Sequence, residues 1–306
     1  MKNILLYGFV VLGMLGGTAC SSADGIADAD PRPVIRLSTG TSPGSPGTRA
    51  LEDFPNGGSI GVLAGLYDPT NTDTEGNILM NWGSYPEIVD APARATGFTA
   101  PNYSFGWGIN GNEVKYWPFD GTQLAFMAYA PHVNDYPLNM AASSDNESLT
   151  VFLNSGNYDT PDVMVASNNA NLTPYSKDPV TVSGGTYTSP AVDLGEFRHM
   201  MSRLTVVVEA ETGMSPAIVI TDLQVRTTRQ GGRLTLRNGE WTDFETDDTS
   251  FTYPVFPEGT DTETEFSAAP VSKTLLLFPG SEDVTLLSIT LLDKGAITPT
   301  PFQREY

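Results

Sequence analysis

From Ala50 onward the chain alternates apolar and polar positions in short runs, each bounded by Gly, Pro, Asn, Asp or Ser. A period of two over so few residues marks half-buried strands, and turn chemistry at this spacing belongs to antiparallel sandwiches. The pattern predicts strands at Ser59–Leu66, Ile78–Trp82, Tyr103–Ile109, Glu113–Trp117, Leu124–Ala130, Leu149–Leu153 and Val163–Ala166. Further strands are predicted at Leu204–Val208, Ile218–Thr227, Thr274–Phe278 and Val284–Leu292. Phe197, Met200, Met201 and Leu204 fall at helical spacing, but Leu204–Val208 is β-branched, so the stretch reads as a turn feeding a core strand. Asn110-Gly111 and Asn238-Gly239 are hairpin signals, because Asn-Gly accepts the positive φ of a type I′ turn. The second of them joins Arg233–Arg237 to Glu240–Phe244.

Residues 171–190 are polar and rich in Pro, Gly and Ser, which puts a domain boundary near 190–196. The expected fold is all-β: two tandem antiparallel β-sandwich domains, at 50–192 and 193–306. Upstream, Lys2 precedes an apolar run at Ile4–Leu15 that is too short to span a bilayer, so residues 1–19 read as a signal peptide. The run ends in Gly17-Thr18-Ala19-Cys20 and resembles a bacterial lipobox, in which Cys20 would carry the lipid, although the pattern prefers an aliphatic residue where Gly17 stands. Residues 20–49 form a leader that is mostly Ala, Asp, Pro, Ser, Thr and Gly, a composition that buries too little apolar surface to order itself. One piece differs. Val34-Ile35-Arg36-Leu37 puts Ile35 and Leu37 on one face and Val34 and Arg36 on the other, a strand that can dock onto a sheet.

Charge and composition narrow the function. With 16 Lys and Arg against 36 Asp and Glu, the net charge of −20 opposes nucleic acid as a partner, since that binding draws on clustered cations. One cysteine and two histidines leave no disulfide, no zinc knuckle and little for a metal centre, so neither metal nor cofactor is expected. Gly106-Trp107-Gly108-Ile109-Asn110-Gly111 has the letters of a dinucleotide fingerprint, but a hairpin return and Pro118 follow where a helix should begin. Asn71, Asp73, Glu75 and Gly76 open like a calcium loop, yet Trp82 stands where the closing bidentate Glu belongs. His132 and His199 have no nucleophile elbow beside them, so structural roles are expected and no catalysis is assigned. Tyr103, Phe105, Trp107, Tyr116, Trp117, Phe119, Phe126 and Tyr129 are read as sandwich core; facing solvent, they would instead form a platform for sugar rings. Arg226, Arg229, Arg233 and Arg237 fit cross-strand pairing or an interface with an acidic neighbour.

Five segments, in order, resemble the fimbrillin-like lipoproteins of Bacteroides-type bacteria, the Mfa-like pilins: Gly47-Thr48-Arg49-Ala50, Phe54–Val62, Tyr116-Trp117-Pro118 with Leu124–Pro131, Asp162–Ala166, and Phe197–Val208. The resemblance implies two Greek-key, transthyretin-like sandwich domains, export as an outer-membrane lipoprotein, and assembly into a surface fimbria with other subunits. It also implies a trypsin-like, Arg-specific protease that cuts behind an arginine near the N-terminus; here the matching bond is Arg49-Ala50. If Val34–Leu37 fills a groove in the first sandwich, that cut would displace it and free an edge for a neighbouring strand. Family members continue through one or two donor strands, whereas this sequence stops at Pro301–Tyr306, so an incomplete C-terminal domain and an anchor, tip or accessory role are expected. The alternative is a surface glycan-binding lipoprotein, distinguished by whether Trp107, Tyr116 and Trp117 face solvent. A hydrolase would need two converging carboxylates, and no pair stands out in the sequence.

Overall fold

The computed structural model of the chain describes residues 33–39, 58–99, 102–152, 161–177, 180–181, 187–188, 191–208, 218–256, 264–265, 271–280, 285–293 and 302–305. In chain order the strands begin with β1 (Leu37–Ser38), β2 (Ser59–Leu66), β3 (Ala91–Thr99), β4 (Asn102–Trp107), β5 (Leu124–Ala130), β6 (Met140–Ala142) and β7 (Ser148–Phe152). Next come β8 (Met164–Ala166), β9 (Val180–Thr181), β10 (Tyr187–Thr188), β11 (Val192–Asp193), β12 (Phe197–His199) and β13 (Ser202–Val208). The last are β14 (Ile218–Thr235), β15 (Glu240–Phe256), β16 (Thr264–Glu265), β17 (Val271–Leu277), β18 (Thr285–Asp293) and β19 (Phe302–Glu305). Among the described residues the only helical turns are 3-10, at Val133–Asp135 and Ser167–Asn171, and the fold is all-β.

Eight strands form one sheet in the order β11-β1-β4-β3-β2-β5-β8-β12. Its end strands are neighbours in sequence, joined only by Leu194–Glu196. Such a link reaches at most about 14 Å, whereas a flat sheet of this many strands is about 34 Å wide, so the sheet must curl until its ends approach. Inside the curl lies one core, drawn from β1 (Leu37), β2 (Ile60, Val62), β3 (Ala93), β4 (Phe105, Trp107), β5 (Phe126), β8 (Met164) and β12 (Phe197). The pairing is antiparallel except at β1 and β11, which run parallel, Leu37 opposite Val192. That parallel pair departs from the expected all-antiparallel pattern.

A second sheet, ordered β19-β18-β14-β7-β6 with β15 and β16 also on β14, lies against the outside of the curl. Leu63, Met127, Tyr129, Val163 and Val165 point out of the first sheet and meet Met140, Leu149, Val151, Leu234, Leu236 and Phe278. β5 therefore has no solvent face: all seven residues are buried, alternately in one core and the other. Close packing sets its neighbour's composition, since a Cβ on Gly61 would sit 2.3 Å from the Tyr129 ring. The long β14 pairs with β18 over Ile218–Arg226 and with β7 over Gly231–Thr235, so one ladder links segments on either side of residues 190–196. Buried Asn169 ties the same segments: its Oδ1 accepts from Ala128 N–H at 2.9 Å, and its Nδ2 donates to Ala128 O at 3.0 Å and Leu236 O at 2.8 Å.

Expected strands at Ile78–Trp82 and Glu113–Trp117 are instead loops held by isolated bridges, Thr72 to Ile78, Gly65 to Trp82, Trp107 to Glu113 and Val34 to Tyr116. Their alternation buries Trp82 and Trp117, but no continuous edge lies beside them to extend a ladder. At both Asn-Gly turns only the glycine takes positive φ, +70° at Gly111 and +72° at Gly239. The second hairpin consequently closes through a loop of Leu236–Gly239 rather than a two-residue type I′ turn.

Candidate functional site

The residues 33–39 lie in a slot of the curled sheet and change partners along their length. Pro33–Ile35 run beside the 115–117 segment, where Ile35 N–H donates to Lys115 O at 2.8 Å and Trp117 N–H donates to Pro33 O at 3.0 Å. From Leu37 onward the partners are β4 on one side, with Leu37 opposite Phe105, and β11 on the other. Val192 N–H donates to Arg36 O at 2.8 Å and Leu194 N–H to Ser38 O at 2.9 Å. The Trp107 indole, 2% exposed, donates its Nε1–H to Ile35 O at 2.8 Å from within the core.

Side chains in the slot alternate as the sequence pattern requires. Ile35, Leu37 and Thr39 are 1%, 3% and 1% exposed, while Val34 and Arg36 face solvent. The inward residues join a core with Tyr103, Phe105, Trp107, Trp117, Val192 and Leu194, and Phe105 packs on Phe197 with ring centroids 6.3 Å apart. Burying Ile35 and Leu37 contributes about 3–6 kcal/mol together. Only one face of the segment is covered, and its backbone bonds supply the rest of its hold. Thr39 falls in the stretch expected to be tether, and Val192 and Leu194 at the expected domain boundary; the Val192-x-Leu194 alternation is the available signal for β11, and a lone Thr beyond Leu37 carries none.

Cys20 and the Arg49-Ala50 bond lie outside the described residues. The other motifs have local roles. A Cβ on Gly106 would lie 2.0 Å from Gly111 O, so the glycine-rich run is a tight hairpin loop. Asp73 accepts from Glu75 N–H, Asn77 N–H and Asn77 Nδ2, bonds that close the acidic turn and hold its carboxyl below the usual value. Among the described residues no group of three His, Cys, Asp or Glu is arranged to hold a metal ion. His132 is buried, stacks on Tyr129 and approaches Asp90 O at 3.2 Å; its Nδ1 accepts from Asn134 N–H. His199 Nδ1, at the end of β12, pairs at 2.7 Å with Oδ2 of Asp162, which lies just before β8.

Of the aromatic set, Tyr103, Phe105, Trp107, Trp117, Phe126 and Tyr129 are buried, Tyr116 is half-buried and Phe119 is exposed. The cavity bounded by Ile78, Met80, Trp82, Met127, Leu172 and Arg237 encloses about 140 Å³, below the roughly 300 Å³ of ordinary small-molecule sites. The arginines brace β14 and its loop: Arg229 lies 3.9 Å over the Phe244 ring, Arg233 Nε donates to Ser148 Oγ at 2.7 Å, and Arg237 reaches Ile78 O at 3.5 Å.

Residues 48–303 match the model of the family described as fimbrillin-like, and the chain belongs to that family. A solved structure from Bacteroides uniformis, described as a "putative cell adhesion protein", is 15% identical with a TM-score of 0.50, over 90% of this chain and 85% of that one. A fimbrial protein from Bacteroides vulgatus is 14% identical with a TM-score of 0.48, over 89% of this chain and 87% of that one. Among curated proteins none matches. At these identities the first likeness shows a shared fold and nothing finer.

Proposed function

We propose that this chain is a structural or accessory subunit, anchor or tip, of a cell-surface fimbria that supports adhesion. In this reading it is exported as a lipoprotein through Cys20, held at the outer membrane by its lipid, and cut behind Arg49 by a trypsin-like protease. Its two sandwich domains would then join other subunits by strand addition. The observation that carries the reading is the slot itself: a short leader segment, covered on one face, lies between β4 and β11 with hydrogen bonds on both edges. Taking the segment away would uncover an aromatic floor of Tyr103, Phe105 and Trp107 and remove the partners of Trp117, Val192 and Leu194 N–H. An extended strand from another subunit answers both needs, with backbone bonds along the edges and side chains in alternate pockets. Repeated head to tail, such a non-closing contact builds a filament.

The test is digestion of the intact chain with an Arg-specific protease, followed by sizing. Loss of the segment before Ala50 together with new oligomers is the expected result, and Arg49→Ala should block both. A cleaved chain that stays monomeric, with its leader released, overturns the reading. The glycan-platform alternative is disfavoured because Trp107 and Trp117 are 2% and 0% exposed.

A further inference from the structure

The contacts that hold residues 33–39 divide into those blind to sequence and those that read it. Lys115 O, Trp117 N–H, Val192 N–H, Leu194 N–H and the Trp107 indole all meet backbone atoms, and any extended strand offers these. The pockets of Ile35 and Leu37 ask only for apolar bulk, which discriminates weakly between similar side chains. Thr39 is different. It is 1% exposed, its N–H donates to Tyr103 O at 3.1 Å, and its Oγ1 accepts from Tyr103 N–H at 2.8 Å. At the hydrogen-bonded positions of an antiparallel pair, facing residues exchange two backbone bonds. Opposite Tyr103 the threonine hydroxyl stands in for the second carbonyl, which makes the ladder depend on a side chain.

We propose that the slot recognises its occupant by the pattern apolar-x-apolar-x-hydroxyl, with the residue at the Thr39 position discriminating among candidate strands. This rests on the strand-addition reading above and names the chemistry of the strand a neighbouring subunit presents. That strand runs antiparallel to β4 and parallel to β11, with Ser or Thr at its fifth position. Valine has threonine's shape but no acceptor, so it leaves the Tyr103 N–H facing a methyl group. A site built to bond a hydroxyl rejects an analogue that lacks it more strongly than an apolar pocket rejects a lost methylene. The expected discrimination is about tenfold or more.

Two measurements on the intact chain decide the matter. In the first, amide hydrogen exchange at Tyr103 is compared in Thr39→Val and Thr39→Ser; Val should accelerate it about tenfold or more, and Ser should leave it near the parent rate. An unchanged Tyr103 amide in Thr39→Val overturns the proposal. In the second, biotinylated peptides Pro-Val-Ile-Arg-Leu-Ser-Xaa, with Thr, Ser or Val at Xaa, are offered to the Thr39→Val chain, whose own segment is weakened. Capture of the Thr and Ser peptides well above the Val peptide supports the proposal. Equal capture of all three overturns it while leaving strand addition standing. Capture of none means that the uncut chain keeps its own segment in the slot, as strand addition allows before cleavage, and the Tyr103 amide alone then decides the role of the hydroxyl.

Discussion

β5 and the 33–39 segment are both interior lines of one curled sheet, yet they are held in opposite ways. β5 is buried on both faces, with Phe126 in the inner core and Met127 in the outer one, and it cannot leave without opening both. The segment around β1 is buried on one face, turns Val34 and Arg36 to water, and meets its partners through short two-residue ladders and single bonds. A strand's place in a sheet therefore does not determine how firmly it is held; the number of covered faces does. Under the proposed strand addition it is a segment with one covered face that would be exchanged for another of like pattern, since most of its backbone bonding is open to any extended strand.

The largest expected effect is on the β5 side of the comparison. Met127→Asp puts an unpaired carboxylate at a fully buried position and should cost more than about 4 kcal/mol, seen as lost soluble yield or a collapsed denaturation midpoint. A midpoint near the parent's would mean that the outer core tolerates water. Ile35→Ala should cost about 2–4 kcal/mol of local hold. Its signature is faster amide exchange at Val192 and Leu194, with little movement of the global midpoint. Equal acceleration along β2 and β5 would show that the 33–39 segment belongs to the same cooperative unit and would remove the contrast.

Alkali should act through Tyr129, whose hydroxyl donates to Asp90 Oδ1 at 2.7 Å. Burial, with Asp90 close by, raises its pKa above the ordinary 10.0, so the folded chain keeps a proton that the unfolded chain releases. The stability this group contributes is whole below pH 10 and falls by about 1.4 kcal/mol per pH unit above it. Tyr129→Phe should flatten that slope without abolishing it, since burial also raises Tyr103 and Tyr175. A slope unchanged in Tyr129→Phe would exclude this residue as its source. The smallest effect is confined to the exposed turn at Asp73. Its carboxyl is held below 3.8 by hydrogen bonds from Asn77 and Glu75, so their contribution is present above that pH and lost as pH falls through the lowered folded value. Acid should speed exchange of the Glu75 and Asn77 amides relative to intrinsic rates, and leave β1 and β5 unmoved.

Short, nearly continuous apolar runs bounded by turn residues located β2 and β5 at the residues where they occur, because successive strand side chains face opposite sides and both sides of these strands are buried. The same argument placed Ile35 and Leu37 on one face and Val34 and Arg36 on the other. β3 escaped it: Ala91, Ala93 and Ala95 alternate inward, but alanine carries little strand preference and Pro92 lies among them. Ile78–Trp82 misled it, since alternation buries side chains equally well in a loop that bridges a sheet at single points.

Amino-acid order by itself determined the all-β class, the glycine turns, the two faces of the Val34–Leu37 segment and the family. Only the tertiary structure decided that β1 runs parallel to β11, that β7 pairs with β14, that Asn169 spans from Ala128 to Leu236, and that Thr39 substitutes for a backbone carbonyl. The reason is physical: side-chain period is a local property that each strand carries with it, whereas partner, direction and register depend on groups far away in sequence. A buried polar side chain has no periodic signal, and its role exists only once the donor it satisfies has been brought beside it.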